Sequence, residues 1–257
     1  MSLENTDAVG SQHNGGNARP VKGGQSDNNI RELAVLDFVH KHPSINHLGD
    51  SPANVAKAID EFKTTRERLM TIGPAKAEYM IHRLKQLPPG PKVFIEFGAY
   101  VGYSAVILAG ALRDHNQGYP VRYYSLEINP VNAAITQSAV ELAGLKSVVD
   151  VIVGPAGESL KRLVKAGKLS KGQVHSILLD HFKDVYLPDM IVVEELELLS
   201  KDAIVFADNC GPALRRGDEV HDIDSPIIEY VEYVKKGYKT ELVDFGHDAV
   251  AVSEPAQ

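Results

Sequence analysis

A chain of 257 residues with 44% hydrophobic content and a formal charge of -7 is long enough to bury one large core. That charge argues against a nucleic-acid surface or an anionic membrane as the main partner and leaves a small molecule as the expected one. No run of about 18 apolar residues occurs, so no transmembrane helix is expected. The lone Cys210 permits no intrachain disulfide, in keeping with a reducing compartment and an expected cytoplasmic location.

Residues 1–29 are rich in Gly, Asn, Ser and Gln, with no apolar core and no continuous basic stretch, which predicts a disordered tail rather than a signal peptide. The remainder, 30–257, reads as a single domain. Leu33, Leu36 and Val39 are spaced for a helix over 30–41, and Ser51-Pro52 is a cap and first turn for a second helix running to Met70. Met70 is expected to pack at that helix end. A third helix is predicted over 74–87, before Pro88-Pro89-Gly90-Pro91 breaks the chain.

From Val93 onward the pattern alternates. Strands are predicted at 93–97, 121–127, 148–153, 176–180 and 203–208, and helices at 104–112, 132–143, 156–166 and 188–199. This rhythm gives an α/β fold with a parallel sheet covered by helices on both faces. A further helix over 226–235 and a hairpin of strands 239–245 and 249–253 add an antiparallel edge, making seven strands.

The first strand runs into Glu96-Phe97-Gly98-Ala99-Tyr100-Val101-Gly102-Tyr103-Ser104, a glycine-bearing acidic turn at the place where an α/β sheet holds its ligand. Glu96 disfavours a pyrophosphate, and Tyr100 and Ser104 depart from the spaced three-glycine dinucleotide pattern, which weakens a nicotinamide reading. The next strand ends in Glu127, placed to accept from a ribose diol. S-adenosylmethionine, with a ribose and an adenine but no phosphate, fits these features better. The same turn on its own is equally an ordinary strand-to-helix connection.

Asp180 closes one strand, and Asp208 with Asn209 closes the next. Taken singly these are common strand-end and loop-capping residues. Taken together they are hard oxygen donors suited to Mg2+, too few to fill an octahedron and so open to water and substrate oxygens. No His and Cys cluster has zinc spacing. Lys183 is either a solvated surface charge or, beside a divalent cation, a general base. His181 satisfies a carbonyl or packs beside an adenine, and Tyr100 and Tyr103 are core or rim aromatics or ligand contacts.

With Glu127-Ile128-Asn129-Pro130, Asp180-His181-Phe182-Lys183-Asp184 and Asp208-Asn209 following the turn in the same order, the chain resembles the catechol O-methyltransferases from about Ile30 through Asn209. The resemblance implies a Rossmann-like class I methyltransferase fold. It implies that Ile72, Glu96, Tyr100, Ser104, Glu127, Ala156, Gly157, Asp180 and His181 bind S-adenosylmethionine, with Glu127 on the ribose and Ile72 at the methionine end. It further implies that Asp180, Asp208 and Asn209 hold magnesium, that Lys183 removes a phenolic proton, and that Lys183 and Asn209 meet a catechol. Alternatives are another vicinal diphenol as acceptor, or a cofactor-binding protein without turnover.

The chain departs from the family in three places. Arg68 and Phe182 stand where the family often has tryptophans, and the family's C-terminal substrate-binding glutamate has no secure counterpart before His247. The charged segment 215–224 after Cys210-Gly211-Pro212 does not align.

Overall fold

In the computed structural model, residues 29–44, 50–215 and 225–256 are described. The predicted tail over 1–29, apart from Asn29, and nearly all of the unaligned segment lie outside them.

Among the described residues, three helices precede the sheet: α1 (Ile30–His40), α2 (Pro52–Thr65) and α3 (Gly73–Leu84). The Ser51 hydroxyl accepts the Asn54 amide at 3.4 Å, so the predicted cap forms. The second helix stops at Thr65, short of the predicted Met70. Thr64 and Thr65 turn their hydroxyls back onto the carbonyls of Asp60 and Glu61, which competes with the backbone ladder. Arg66 then leaves helical geometry. Met70 is consequently 65% exposed on the connection to α3, not packed at a helix end.

The α/β part follows in the predicted order: β1 (Lys92–Phe97), α4 (Tyr103–His115), β2 (Val121–Glu127), α5 (Pro130–Leu142), β3 (Val149–Val153), α6 (Ala156–Lys165), β4 (Val174–Leu179), α7 (Tyr186–Glu195) and β5 (Leu199–Ala207). A short helix α8 (Gly211–Leu214), then α9 (Ser225–Gly237), β6 (Tyr238–Asp244) and β7 (Ala249–Pro255) complete it. The seven strands lie in the order β3-β2-β1-β4-β5-β7-β6. Pairing is parallel from β3 to β5, and β7 runs antiparallel to both neighbours, as the sequence predicts.

Both sheet faces are covered. Phe94, Tyr123 and Phe206 join one apolar cluster with Val35, Ile59, Met80 and Leu108 from α1 to α4. Ile95, Phe97 and Leu179 point the other way, into a second cluster with Leu160, Met190 and Tyr230 from α6, α7 and α9. This alternation is the period-two consequence of strands buried on both sides. Among the described residues, no helix is long and apolar enough to cross a membrane.

Candidate active site

The chain builds β1, β2 and β3 outward on one side and then returns to lay β4 on the other side of β1. The strand order therefore reverses between β1 and β4, where open α/β sheets bind their ligands. Ladder hydrogen bonds continue one residue beyond the strands: Gly98 to Leu126 at 2.8 Å, Asp180 to Phe97 at 2.9 Å and Asp208 to Leu179 at 2.9 Å. Glu127, Gly98, Asp180 and Asp208 thus form a row across four neighbouring strand ends, spanning roughly 14 Å at the usual strand spacing.

The turn after β1 is held from below by Glu127. One carboxylate oxygen accepts the Ala99 and Tyr100 amides at 3.0 and 2.9 Å, and the other accepts the Asn129 amide at 2.8 Å. Asn129 in turn caps α5 through the Val131 amide at 2.8 Å. Gly98 and Gly102 both have positive φ, at 94° and 84°. A Cβ on Gly98 would lie 2.6 Å from the Asp180 carbonyl, so glycine here lets the first strand end close against the fourth. Tyr100 also sits at positive φ, and its phenol donates to Glu32 of α1 at 2.8 Å. Arg31 lies over the same ring and pairs with Glu32 at 2.9 Å.

Glu96 is fully buried. Ser125 donates to its Oε2 at 2.6 Å, while Oε1 has no partner. Burial raises its carboxyl to about 7, with the Ser104 and Ser125 hydroxyls opposing and Glu127 assisting. A donor on a bound ligand would satisfy that orphaned oxygen. Because the folded pKa lies above the ordinary 4.5, the unfolded chain holds fewer protons between about pH 4.5 and 7, and this group costs stability progressively as pH rises through that window. Glu96→Gln is expected to stabilise the ligand-free protein by up to about 3 kcal/mol at pH 8 and to have little effect near pH 4.5. Urea denaturation at both pH values checks this, and an equal effect at the two would rule it out.

Ser104 is buried beside Glu96 at the start of α4. Ala156 and Gly157 open α6 at the end of β3. Gly157 donates its amide to Asp189 at 3.0 Å, and Asp189 pairs with Nε2 of His181 at 2.8 Å. The His181 ring stacks on Tyr186 at 5.1 Å, and its buried Nδ1 lacks a partner. His181 thus meets a side chain and not the carbonyl that its strand-end position suggests. Ile72 precedes α3 and is buried in the first apolar cluster. Tyr103 is core, and Arg68 lies exposed on the α2–α3 connection.

The other end of the row is acidic. Asp180 and Asp208 are neighbours just past the ends of β4 and β5. Burial first, then Asp208 and Glu96, hold the Asp180 carboxyl well above the usual carboxylate range. Asp208 is also raised by burial, against the pull of Lys76. Lys76 from α3 reaches Asp208 Oδ1 at 2.5 Å and Asp248 Oδ2 at 2.6 Å, and its ammonium is favoured because these carboxylates outweigh burial. Burial would raise Asp248, but Lys76 and neighbouring donors hold it below its ordinary value. Asn209 sits at positive φ and donates to Asp248 at 3.2 Å.

Lys183 opens a short 3-10 turn just past Asp180, and its charge acts on the Cys210 thiol, which burial nevertheless pushes up to about 12. Cys210 is a buried loop residue. Among the described residues, no three His, Cys, Asp or Glu side chains form a metal-holding group. The two aspartates with the Asn209 amide are a smaller donor set, whose crowded negative charge and all-oxygen chemistry fit a hard cation.

Four residues of this neighbourhood escape the sequence reading: Glu32, Lys76, Asp189 and Asp248. Lys76 and Glu32 each occupy the buried stripe of their helix, with Gly73, Ala77 and Met80 and with Val35 and Val39 respectively. A charge inside an apolar stripe is the signal that marks them.

A family model described as O-methyltransferase matches residues 53–241. The chain belongs to this O-methyltransferase family. It is 36% identical over 179 residues to the catechol O-methyltransferase of Bos taurus, covering 70% of this chain and 61% of that one. To the Sus scrofa catechol O-methyltransferase it is 38% identical, over 56% of this chain and 73% of that one. The match thus spans about three-fifths of the bovine relative's length, and the family resemblance drawn from the motifs is upheld. The fold is shared with the S-adenosylhomocysteine-bound Podospora anserina methyltransferase PaMTH1, with a TM-score of 0.63 at 19% identity over 90% of this chain and 97% of that one.

Proposed function

We propose that this O-methyltransferase uses S-adenosylmethionine and Mg2+ to methylate one hydroxyl of a catechol. The observation that carries this reading is the row of strand ends, with a carboxylate at Glu127 for a ribose and a buried acidic corner at Asp180 and Asp208 for a cation. The names of the relatives support a catechol acceptor, and the S-adenosylhomocysteine bound in the fold neighbour supports the cofactor.

In this reading Glu127 accepts from the ribose with the carboxylate capacity that the turn amides leave over. Glu96, Tyr100, Ser104 and Ile72 line the methionine side, and Ala156, Gly157 and His181 the adenine side, with Asp180 between cofactor and metal. Asp180, Asp208 and Asn209 would hold magnesium, which when bound supplies the positive charge and two-point chelation that orient a catechol. Lys183 Nζ takes the proton of the reacting hydroxyl, and Asn209 contacts the same substrate. That oxygen would then bond to the methyl carbon of bound S-adenosylmethionine as the carbon–sulfur bond breaks and the neutral thioether leaves, and fixing both reactants on one rigid sheet edge removes most of the entropic cost of their encounter.

The test is methyl transfer from labelled S-adenosylmethionine to 3,4-dihydroxybenzoate and to a monophenol, each with Mg2+ or with a chelator. Label on the catechol alone, and only with Mg2+, is the expected result. Equal labelling of the monophenol, or labelling that survives chelation, would overturn the chelation chemistry.

A further inference from the structure

Lys76 is a buried lysine whose ammonium touches two carboxylates, one of them an expected metal ligand. Its Nζ lies 2.5 Å from Asp208 Oδ1 and 2.6 Å from Asp248 Oδ2. Lys76 and Asp208 are 5% and 3% exposed, so solvent screens this charge poorly. Asp208 and Asp248 share this ammonium, and Asp180 feels the charge of both carboxylates and of Lys76. The cation acting on all three is Lys76, in direct contact with Asp208 and Asp248.

Asp248 is held as deliberately as the lysine. Its Oδ1 accepts the Gly211 amide at 3.0 Å, and the Cys210 amide binds the Ala249 carbonyl at 2.8 Å. These bonds tie the segment after Asn209 to the start of β7. Asn209 directs its amide nitrogen to Asp248, which turns its Oδ1 away from that carboxylate.

Resting on the magnesium reading above, we infer that the Lys76 ammonium is the resident counter-cation of the acidic corner: it opposes a divalent cation for Asp208 and keeps Asp248 as its carboxylate partner when one binds. A cation taking Asp208 Oδ1 displaces the lysine outright. One taking Oδ2 meets the lysine's charge a few ångströms away in a poorly screened site. Either path sets metal loading against Lys76, and Asp248, more exposed than Asp208, gives the displaced ammonium a partner. Lys76 is therefore a positioning residue that keeps the corner charge-balanced and tunes its metal affinity.

Mn2+ binding by calorimetry and by loss of free-ion EPR signal tests this on the full chain without cofactor. Lys76→Met and Lys76→Gln are expected to bind Mn2+ roughly tenfold or more tightly than the unaltered protein, because an opposing charge has gone. Asp208→Asn should lose binding. Unchanged or weaker affinity in a folded Lys76 variant overturns the inference while leaving the metal site intact. If neither the unaltered protein nor the Lys76 variants bind Mn2+, the magnesium reading falls and the inference with it.

Crystals of the unaltered protein soaked in Mn2+ keep the test independent of variant folding. An anomalous peak at Asp180, Asp208 and Asn209, with Lys76 moved off Asp208 and retained on Asp248, is expected. The same peak with the Lys76 to Asp208 bond retained overturns the exchange, and no peak at these residues overturns the metal reading.

Discussion

Lys183→Ala is expected to lower turnover on a catechol by on the order of 10²- to 10⁴-fold, the usual contribution of a positioned general base, with S-adenosylmethionine affinity nearly unchanged. Lys183 stands one short turn beyond Asp180, near enough to the far side of the corner for its charge to act on Cys210. It makes none of the hydrogen bonds that hold the turn after β1, which come from Glu127. Removing it should therefore spare the cofactor side of the row.

Lys183→Arg separates proton removal from charge. A guanidinium keeps the positive charge but stays protonated, so turnover should remain low if Lys183 works as the base. Restoration by arginine would instead make it an electrostatic contact. Steady-state kinetics give kcat, and calorimetry gives cofactor affinity. An alanine variant with ordinary kcat would remove Lys183 from the chemistry.

The sheet and the row of strand ends were legible because their signals are local. Each central strand is a short β-rich run closed by a glycine or an acid, and Ser51 announces its helix with the cap it forms. The helix predicted to run to Met70 stops at Thr65, and helical spacing says nothing of where threonine hydroxyls turn back on the chain. Lys76 and Asp248 were invisible for a different reason. Their contact joins residues 172 positions apart, and only the placing of α3 beside the residue after β5 and the residue before β7 makes a helix lysine part of an acidic corner. Periodicity could have flagged Lys76 as a charge on a buried stripe, without naming its partner. Glu32 follows the same logic, since its role as acceptor for Tyr100 needs α1 packed over the turn.

Glu127→Ala is expected to weaken S-adenosylmethionine binding by roughly 100-fold or more, since hydrogen bonds to a charged group contribute about 1.5–3 kcal/mol each and a diol offers two. The geometry adds a second consequence. The carboxylate already accepts three backbone amides, those of Ala99, Tyr100 and Asn129, so its removal leaves donors unpaired in a largely buried turn. The ligand-free protein should lose stability as well, by about 1–3 kcal/mol.

Glu127→Gln sharpens the distinction between the two roles. The amide keeps one oxygen to accept the turn amides but presents an NH2 group toward the Asn129 N–H or toward the ribose, where an acceptor is needed. Its stability should recover more than its affinity does. Calorimetric titration with S-adenosylmethionine, beside thermal melts without it, measures both. Normal affinity in the alanine variant would end the ribose role, whereas affinity that returns fully with glutamine would make Glu127 a support of the turn alone.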